Sequence, residues 1–286
     1  MLFGLEDRQW IFIATVVFAI TFILGTYSVL KLQRKTASVY TLGLVTFGWV
    51  LQTIGLYARG LEYGGCPLAN NFELVQFTVW SAIVLYIFVG PAFRVSLLGV
   101  LTSGFAAALS ILSLTFPGWD SGSREAIFGD NPWIETHAAL ALFSYGVFGI
   151  QALISGMYLS QSRSLKTKEL GGLFRFMPSI VELLRINQRL LLIGLVILTV
   201  SLGIGRVHWA DENTTVDALK LTATIAVWVA YGIIYFLRVR KVLSSKRFAW
   251  TSIAVFAIAL LSLEAVSSDT PPTEPPAATS IENELR

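Results

Sequence analysis

Asn131-Pro132-Trp133-Ile134-Glu135-Thr136-His137-Ala138-Ala139-Leu140-Ala141-Leu142-Phe143-Ser144-Tyr145 opens an apolar run that continues to Leu159. Pro132 suits a first helical turn, where its missing N–H costs nothing. Trp133 is the kind of ring that settles at a membrane–water boundary. Glu135 falls in the first turn, where the helix dipole favours a negative charge. The stretch reads as the mouth of a membrane-crossing helix. One of the chain's two histidines, His137, lies about one turn inside it, on a rigid element rather than a loop. An imidazole there can coordinate a metal, and haem iron is one of the few metals it could hold without other protein ligands. The position equally suits an interfacial polar residue hydrogen-bonded to a neighbour, and both readings stay open at this point.

The composition agrees with a membrane-crossing helix. Of 286 residues, 55% are hydrophobic and 14% charged, with a mean hydropathy of +0.68. A soluble domain has about a quarter of its residues charged. The chain reads as an integral membrane protein in contact with lipid, not a nucleic-acid binder. Its single cysteine, Cys66, excludes an intrachain disulfide and any C-x-x-C pair. No Walker loop, G-x-G-x-x-G, H-E-x-x-H or G-x-S-x-G occurs, and no catalytic constellation is visible, so the chain reads as no enzyme.

Outward from the opening stretch, apolar segments of about 20 residues, the length that a bilayer requires, recur along the chain. They run near Trp10–Leu30, Val39–Tyr57, Phe72–Val89, Val95–Phe116, Pro132–Leu159, Leu190–Val207, Ala218–Leu237 and Phe248–Val266. The first has Glu6 and Asp7 before it and no small-residue cleavage site after it, unlike a signal peptide. Arg59, Glu62, Gly64, Gly65, Cys66 and Pro67 are assigned to a short loop. Lysine and arginine concentrate in the connections Lys31–Lys35, Arg163–Arg189 and Arg238–Arg247, with Arg94 in a fourth. The positive-inside rule puts those connections in the cytoplasm, and both termini, His137 and His208 outside. A bacterial plasma membrane is the expected location.

Leu170–Arg189 carries Leu173, Phe176, Ile180, Leu183 and Leu184 at helical spacing, with Arg175, Glu182, Arg185 and Arg189 opposite. It reads as an amphipathic helix on the cytoplasmic surface. Ser267–Arg286 is rich in Pro, Thr, Glu and Ala and reads as a disordered tail. The expected fold is all-α: a polytopic bundle of about eight spans (1–267) with a surface helix and a tail (268–286). Charge near the spans is scarce, with Glu73 and Glu264 at outer ends, which gives an ion-coupled transporter little support. Gln151, Ser155, Thr78 and Ser103 read as helix–helix contacts.

The run His137 to Tyr145 resembles the H-x(6)-S-Y helix of the cytochrome c assembly protein family. Gly64-Gly65-Cys66-Pro67-Leu68-Ala69-Asn70-Asn71-Phe72-Glu73 resembles that family's G-H-F-P-L-S-N-x-Y-E. Trp228, Tyr231 and Arg238 fall where the family has a W-x-x-Y helix ending in Arg. The family comprises haem-handling polytopic membrane proteins, including the system II haem export and ligation subunit and smaller relatives encoded beside tetrapyrrole-synthesis genes. The resemblance implies haem as cofactor, with His137 as an axial ligand to its iron. His208 could be the second ligand although it is no family position, and Trp209 and Trp133 would lie beside the ring. It implies cytochrome c maturation proteins as partners.

The departures favour the smaller, divergent branch. The tryptophan-rich outer motif is shortened to His208–Lys220 and keeps only Trp209, whereas a flat shelf for a porphyrin needs several large rings. Family histidines fall on Gly65 and Phe236, and the one after the last span has no counterpart near Ser267. A second reading follows: a non-enzymatic membrane regulator or scaffold without the cofactor, whose inner surface helix binds a tetrapyrrole-synthesis enzyme.

Overall fold

A computed structural model describes residues 4–32, 37–92, 96–120, 132–168, 177–209 and 218–267. The helices are α1 (Asp7–Tyr27), α2 (Ala37–Tyr63), α3 (Asn71–Ala92), α4 (Ser96–Thr115), α5 (Pro132–Thr167), α6 (Ile180–Trp209), α7 (Ala218–Val239) and α8 (Ser245–Ser267). A π-helical turn, Ser28–Leu32, continues α1, and a 3-10 turn, Pro117–Asp120, follows α4. Among the described residues, eight helices are long and apolar enough to cross a membrane. The chain is a multi-pass, all-helical membrane protein, as the segment pattern predicts. The expected tail and the segment 121–131 lie outside the described residues.

α5 is the axis of the bundle and packs against α3, α4, α6 and α8. Its contact with α3 is close because of Gly146. A Cβ there would come 2.5 Å from Ser81 Cβ and 2.7 Å from the Ala82 nitrogen, distances no side chain could occupy. α1 packs on α2 and α4, and α7 on α6 and α8. The W-x-x-Y residues of α7 serve this packing. Trp228 Nε1 donates to Thr199 Oγ1 at 2.8 Å, and buried Tyr231 stacks on Phe148 of α5 with centroids 3.7 Å apart. Arg238 donates to the Leu243 carbonyl (3.2 Å) and Ser245 Oγ (3.3 Å), bracing the α7–α8 turn.

Two buried polar knots cross-link the apolar helices. Gln52 Nε2 donates to Gln76 Oε1 (2.7 Å), and Gln76 Nε2 donates to Ser113 Oγ (2.8 Å), joining α2, α3 and α4. Gln151 Nε2 donates to Asn187 Oδ1 and Ser252 Oγ, both at 3.0 Å, and Asn187 Nδ2 donates to Ser155 Oγ at 2.6 Å, joining α5, α6 and α8. Gln151 and Ser155 are thus helix–helix contacts, as expected. Thr78 and Ser103 are also fully buried, and each satisfies its hydroxyl on a carbonyl of its own helix.

Two expectations are corrected. Leu170–Arg189 is not one surface helix. Met177–Ser179 is non-helical, and 180–189 is the first part of α6, continuous with the sixth span. Pro178 cannot continue a helix into which its N–H would have to bond. Ser179 starts one: its Oγ accepts the Glu182 N–H at 3.2 Å, the S-x-x-E pattern of a helix start. The apolar spacing reflects burial in the bundle, where Leu183, Ile186 and Leu190 are buried. Leu173 and Phe176 lie outside the described residues. α5 is correspondingly longer than its apolar run and stops at Lys168, whose φ is +59°. The second correction is that Arg59 is no loop residue. α2 runs on to Tyr63 and buries it.

Candidate functional site

One end of the bundle collects Asp7, Arg8, Arg59, Glu73, Asp120 and Glu135, of which the segment pattern assigned Arg59 and Asp120 to loops. It is formed by the starts of α1, α3 and α5 and the ends of α2, α4 and α6. At its centre is Arg59, 1% exposed. Nε donates to Glu73 Oε1 at 2.5 Å and Nη1 to Asp7 Oδ2 at 2.8 Å, while Nη2 donates to Asp120 Oδ1. Its guanidinium also lies over the Phe72 ring, 4.9 Å from the centroid. Arg8 adds a bond to Asp120 Oδ2 (3.0 Å) and one to the Leu114 carbonyl (3.1 Å). Two guanidiniums therefore join three carboxylates from α1, α3 and the turn after α4. A buried arginine is tolerable only with each nitrogen paired in this way.

The start of α3 is part of the same network. Asn70 Oδ1 accepts the Glu73 N–H at 3.0 Å, and Glu73 Oε2 accepts the Ala69 N–H at 2.6 Å. Asn70 thus caps α3, while Glu73 reaches back one residue further, to Ala69; this is what the Asn70-Asn71-Phe72-Glu73 motif encodes. Sequence reading missed the network; the signal available was this N-x-x-E cap, which aims an acid back at the preceding loop.

The loop reaches α5 through Glu135, whose Oε1 accepts the Cys66 N–H at 3.1 Å. A Cβ on Gly65 would lie 2.8 Å from the same oxygen. The position that the resemblance equates with a family histidine is thus filled by the Glu135 carboxylate. Cys66 is half-buried beside it. Burial, then the charges of Glu135 and Glu73, push its thiol up to about 11.

Two residues further along α5, partly buried His137 faces α6. Its Nδ1 is 2.6 Å from the Ser201 carbonyl oxygen and 3.0 Å from Ser201 Oγ, and Ser201 Oγ donates to the His137 carbonyl at 2.7 Å. His208 and Trp209 end the same helix. Position 208 is seven residues past Ser201, on the same stripe of α6 and about 10 Å further out. The structure therefore brings the backbone of both histidine positions to one end of the α5–α6 pair. The side chains of His208 and Trp209 lie outside what is described. Trp133 is 64% exposed on the first turn of α5. Phe236, the other site equated with a family histidine, is 57% exposed and lies under Arg240.

The cytochrome C assembly protein family matches residues 68–268. The chain belongs to that family. The matched region begins in the loop held by Glu135 and takes in α3 to α8. Protein HemX of Brevibacillus brevis is 26% identical over 201 residues, covering 70% of this chain and 74% of that protein. Protein HemX of Bacillus subtilis strain 168 is 24% identical over 253 residues, covering 86% and 90%. The cytochrome c biogenesis protein CcsA of Chlorella vulgaris is 26% identical over 157 residues, covering 53% of this chain and 50% of that protein.

Proposed function

We propose that the protein is a non-enzymatic, haem-binding accessory of cytochrome c assembly, with His137 as an axial ligand at the outer face of a bacterial plasma membrane. The observation that carries this reading is the His137 ring, partly buried at the mouth of α5 and held through Nδ1 by Ser201. Metal-ligating histidines almost always use their second nitrogen in this way. Among the described residues, no group of three or more His, Cys, Asp or Glu could hold a bare ion. Haem brings its own equatorial nitrogens and asks the protein only for axial donors, so the donor set fits it better. When bound, haem would supply an iron centre, and His137, with the His208 position, would hold it. This chain's own residues do the rest. α5 and α6 hold the ring at the membrane boundary, and Glu135 closes the first loop over the start of α5. The His208 position shares the Ser201 stripe, which favours it as the opposing donor.

The test is the absorbance spectrum of purified protein, as isolated and after haem addition in nanodiscs. A bis-histidine spectrum is expected. His137→Ala should abolish it without loss of expression, and His208→Ala should leave a five-coordinate or water-ligated species. A wild-type protein that takes up no haem would overturn the reading in favour of a membrane scaffold. One observation favours that second reading: two family histidine positions are built over, one by the Glu135 carboxylate against Gly65 and one by exposed Phe236. Its proposed docking helix is weakened, because Leu183 and Ile186 are buried in the bundle.

A further inference from the structure

Ser201 is completely buried on α6 and meets His137 through two of its oxygens. The nearer one, 2.6 Å from Nδ1, is a backbone carbonyl, which can only accept. Nδ1 must therefore carry a proton. The Ser201 hydroxyl gives its single hydrogen to the His137 carbonyl at 2.7 Å. Its oxygen, 3.0 Å from Nδ1, is then left as a second acceptor for the same N–H. One residue thus holds one edge of the imidazole in a fork and also fastens the histidine's own backbone. In the neutral ring the lone pair is consequently on Nε2.

We infer that Ser201 is a positioning residue for His137, fixing the Nδ1–H tautomer and the ring plane so that Nε2 is the ligating nitrogen. The inference rests on the haem reading for what Nε2 binds. The tautomer itself is a property of the haem-free protein. A serine that merely glued two helices together would serve with either tautomer, since its hydroxyl bond to the His137 carbonyl does not involve the ring.

The experiment is nitrogen-15 NMR of histidine-labelled, haem-free protein in nanodiscs. With two histidines in the chain, the His137 signals are those lost in His137→Gln. The expected result is a single neutral tautomer protonated at Nδ1. A ring protonated at Nε2 alone would overturn the inference without needing any further variant. Ser201→Ala keeps the carbonyl but removes the hydroxyl. The Nδ1–H tautomer should persist on the remaining carbonyl, while loss of the second acceptor and of the bond to the His137 backbone should shift the Nδ1 resonance and weaken haem binding by roughly 10- to 100-fold, the usual cost of losing a group that orients a metal-bound histidine. Ser201→Thr, which retains the hydroxyl, should restore the resonance position and the affinity. An unchanged Nδ1 resonance and unchanged affinity in Ser201→Ala would overturn the positioning role. A wild-type protein with the Nδ1–H tautomer that takes up no haem would end the cofactor reading and leave the Ser201 fork standing.

Discussion

Cys66 and Glu135 show how one contact changes the chemistry of a residue that composition presents only as a lone thiol. The Cys66 N–H bonds Glu135, and burial of the thiol, followed by the negative charges of Glu135 and Glu73, raises it from 9.0 to about 11. The thiolate is the reactive form, and both influences disfavour it. The fraction ionised therefore stays small as pH passes 9 and rises only as pH approaches 11. Iodoacetamide alkylation of Cys66, followed against pH, should show its inflection near that upper value. Glu135→Gln keeps an acceptor for the Cys66 N–H but removes one charge, so it should move the inflection downward. An inflection at the ordinary thiol value in the native protein would contradict the closed loop. His137 was legible as a candidate from its place below Trp133. Its partner was not, because Ser201 is 64 residues away and a serine in an apolar run carries no periodic signal.

The helices show where pattern reading succeeds and where it stops. Their number and order follow from apolar runs of bilayer length, a signal that survives any packing arrangement. Their ends follow from local chemistry that hydropathy does not register. α2 and α5 outrun their apolar stretches to Tyr63 and Thr167, and α6 starts where Ser179 caps it. The error at α2 had a cost for the site. Ending that helix at Tyr57 put Arg59 into solvent, whereas the last turns of the helix carry it into contact with Asp7, Glu73 and Asp120. This network fastens α1, α2, α3 and the turn after α4 at one end. Removing its arginine leaves several carboxylates facing one another out of water. Arg59→Met should therefore lower stability by roughly 3–5 kcal/mol, the usual consequence of breaking a buried ion pair from one side. Thermal unfolding of the detergent-solubilised protein measures it. Adding Glu73→Gln to Arg59→Met removes one stranded charge and should recover part of the loss. An unfolding midpoint for Arg59→Met equal to that of the native chain would mean that water or counter-ions already compensate these acids.

At the scale of the whole molecule, the contacts and the charge pattern make one prediction together. The Arg59 network, the Cys66–Glu135 bond and the His137–Ser201 fork join the starts of odd-numbered helices to the ends of even-numbered ones. Successive helices from α1 to α6 therefore run in opposite directions, and all three features share one end of the bundle. The opposite end is rich in lysine and arginine, with Arg163, Lys166 and Lys168 at the end of α5 and Arg238, Arg240 and Lys241 at the end of α7. Basic connections are retained in the cytoplasm, so the prediction is that the His137 end faces outward and that both termini lie outside. Single cysteines test this in a Cys66→Ala background. Gly118→Cys lies in the 3-10 turn that bears Asp120, and Lys166→Cys lies in the last turn of α5; both positions are exposed. In intact cells a membrane-impermeant maleimide should label Gly118→Cys, and Lys166→Cys should react only after the membrane is opened. Reversed accessibility would turn His137 to the cytoplasm and undo its proposed place in an extracytoplasmic assembly step. Labelling of both from outside would break the alternation of the helices, and with it the eight-span arrangement on which every contact at the His137 end depends.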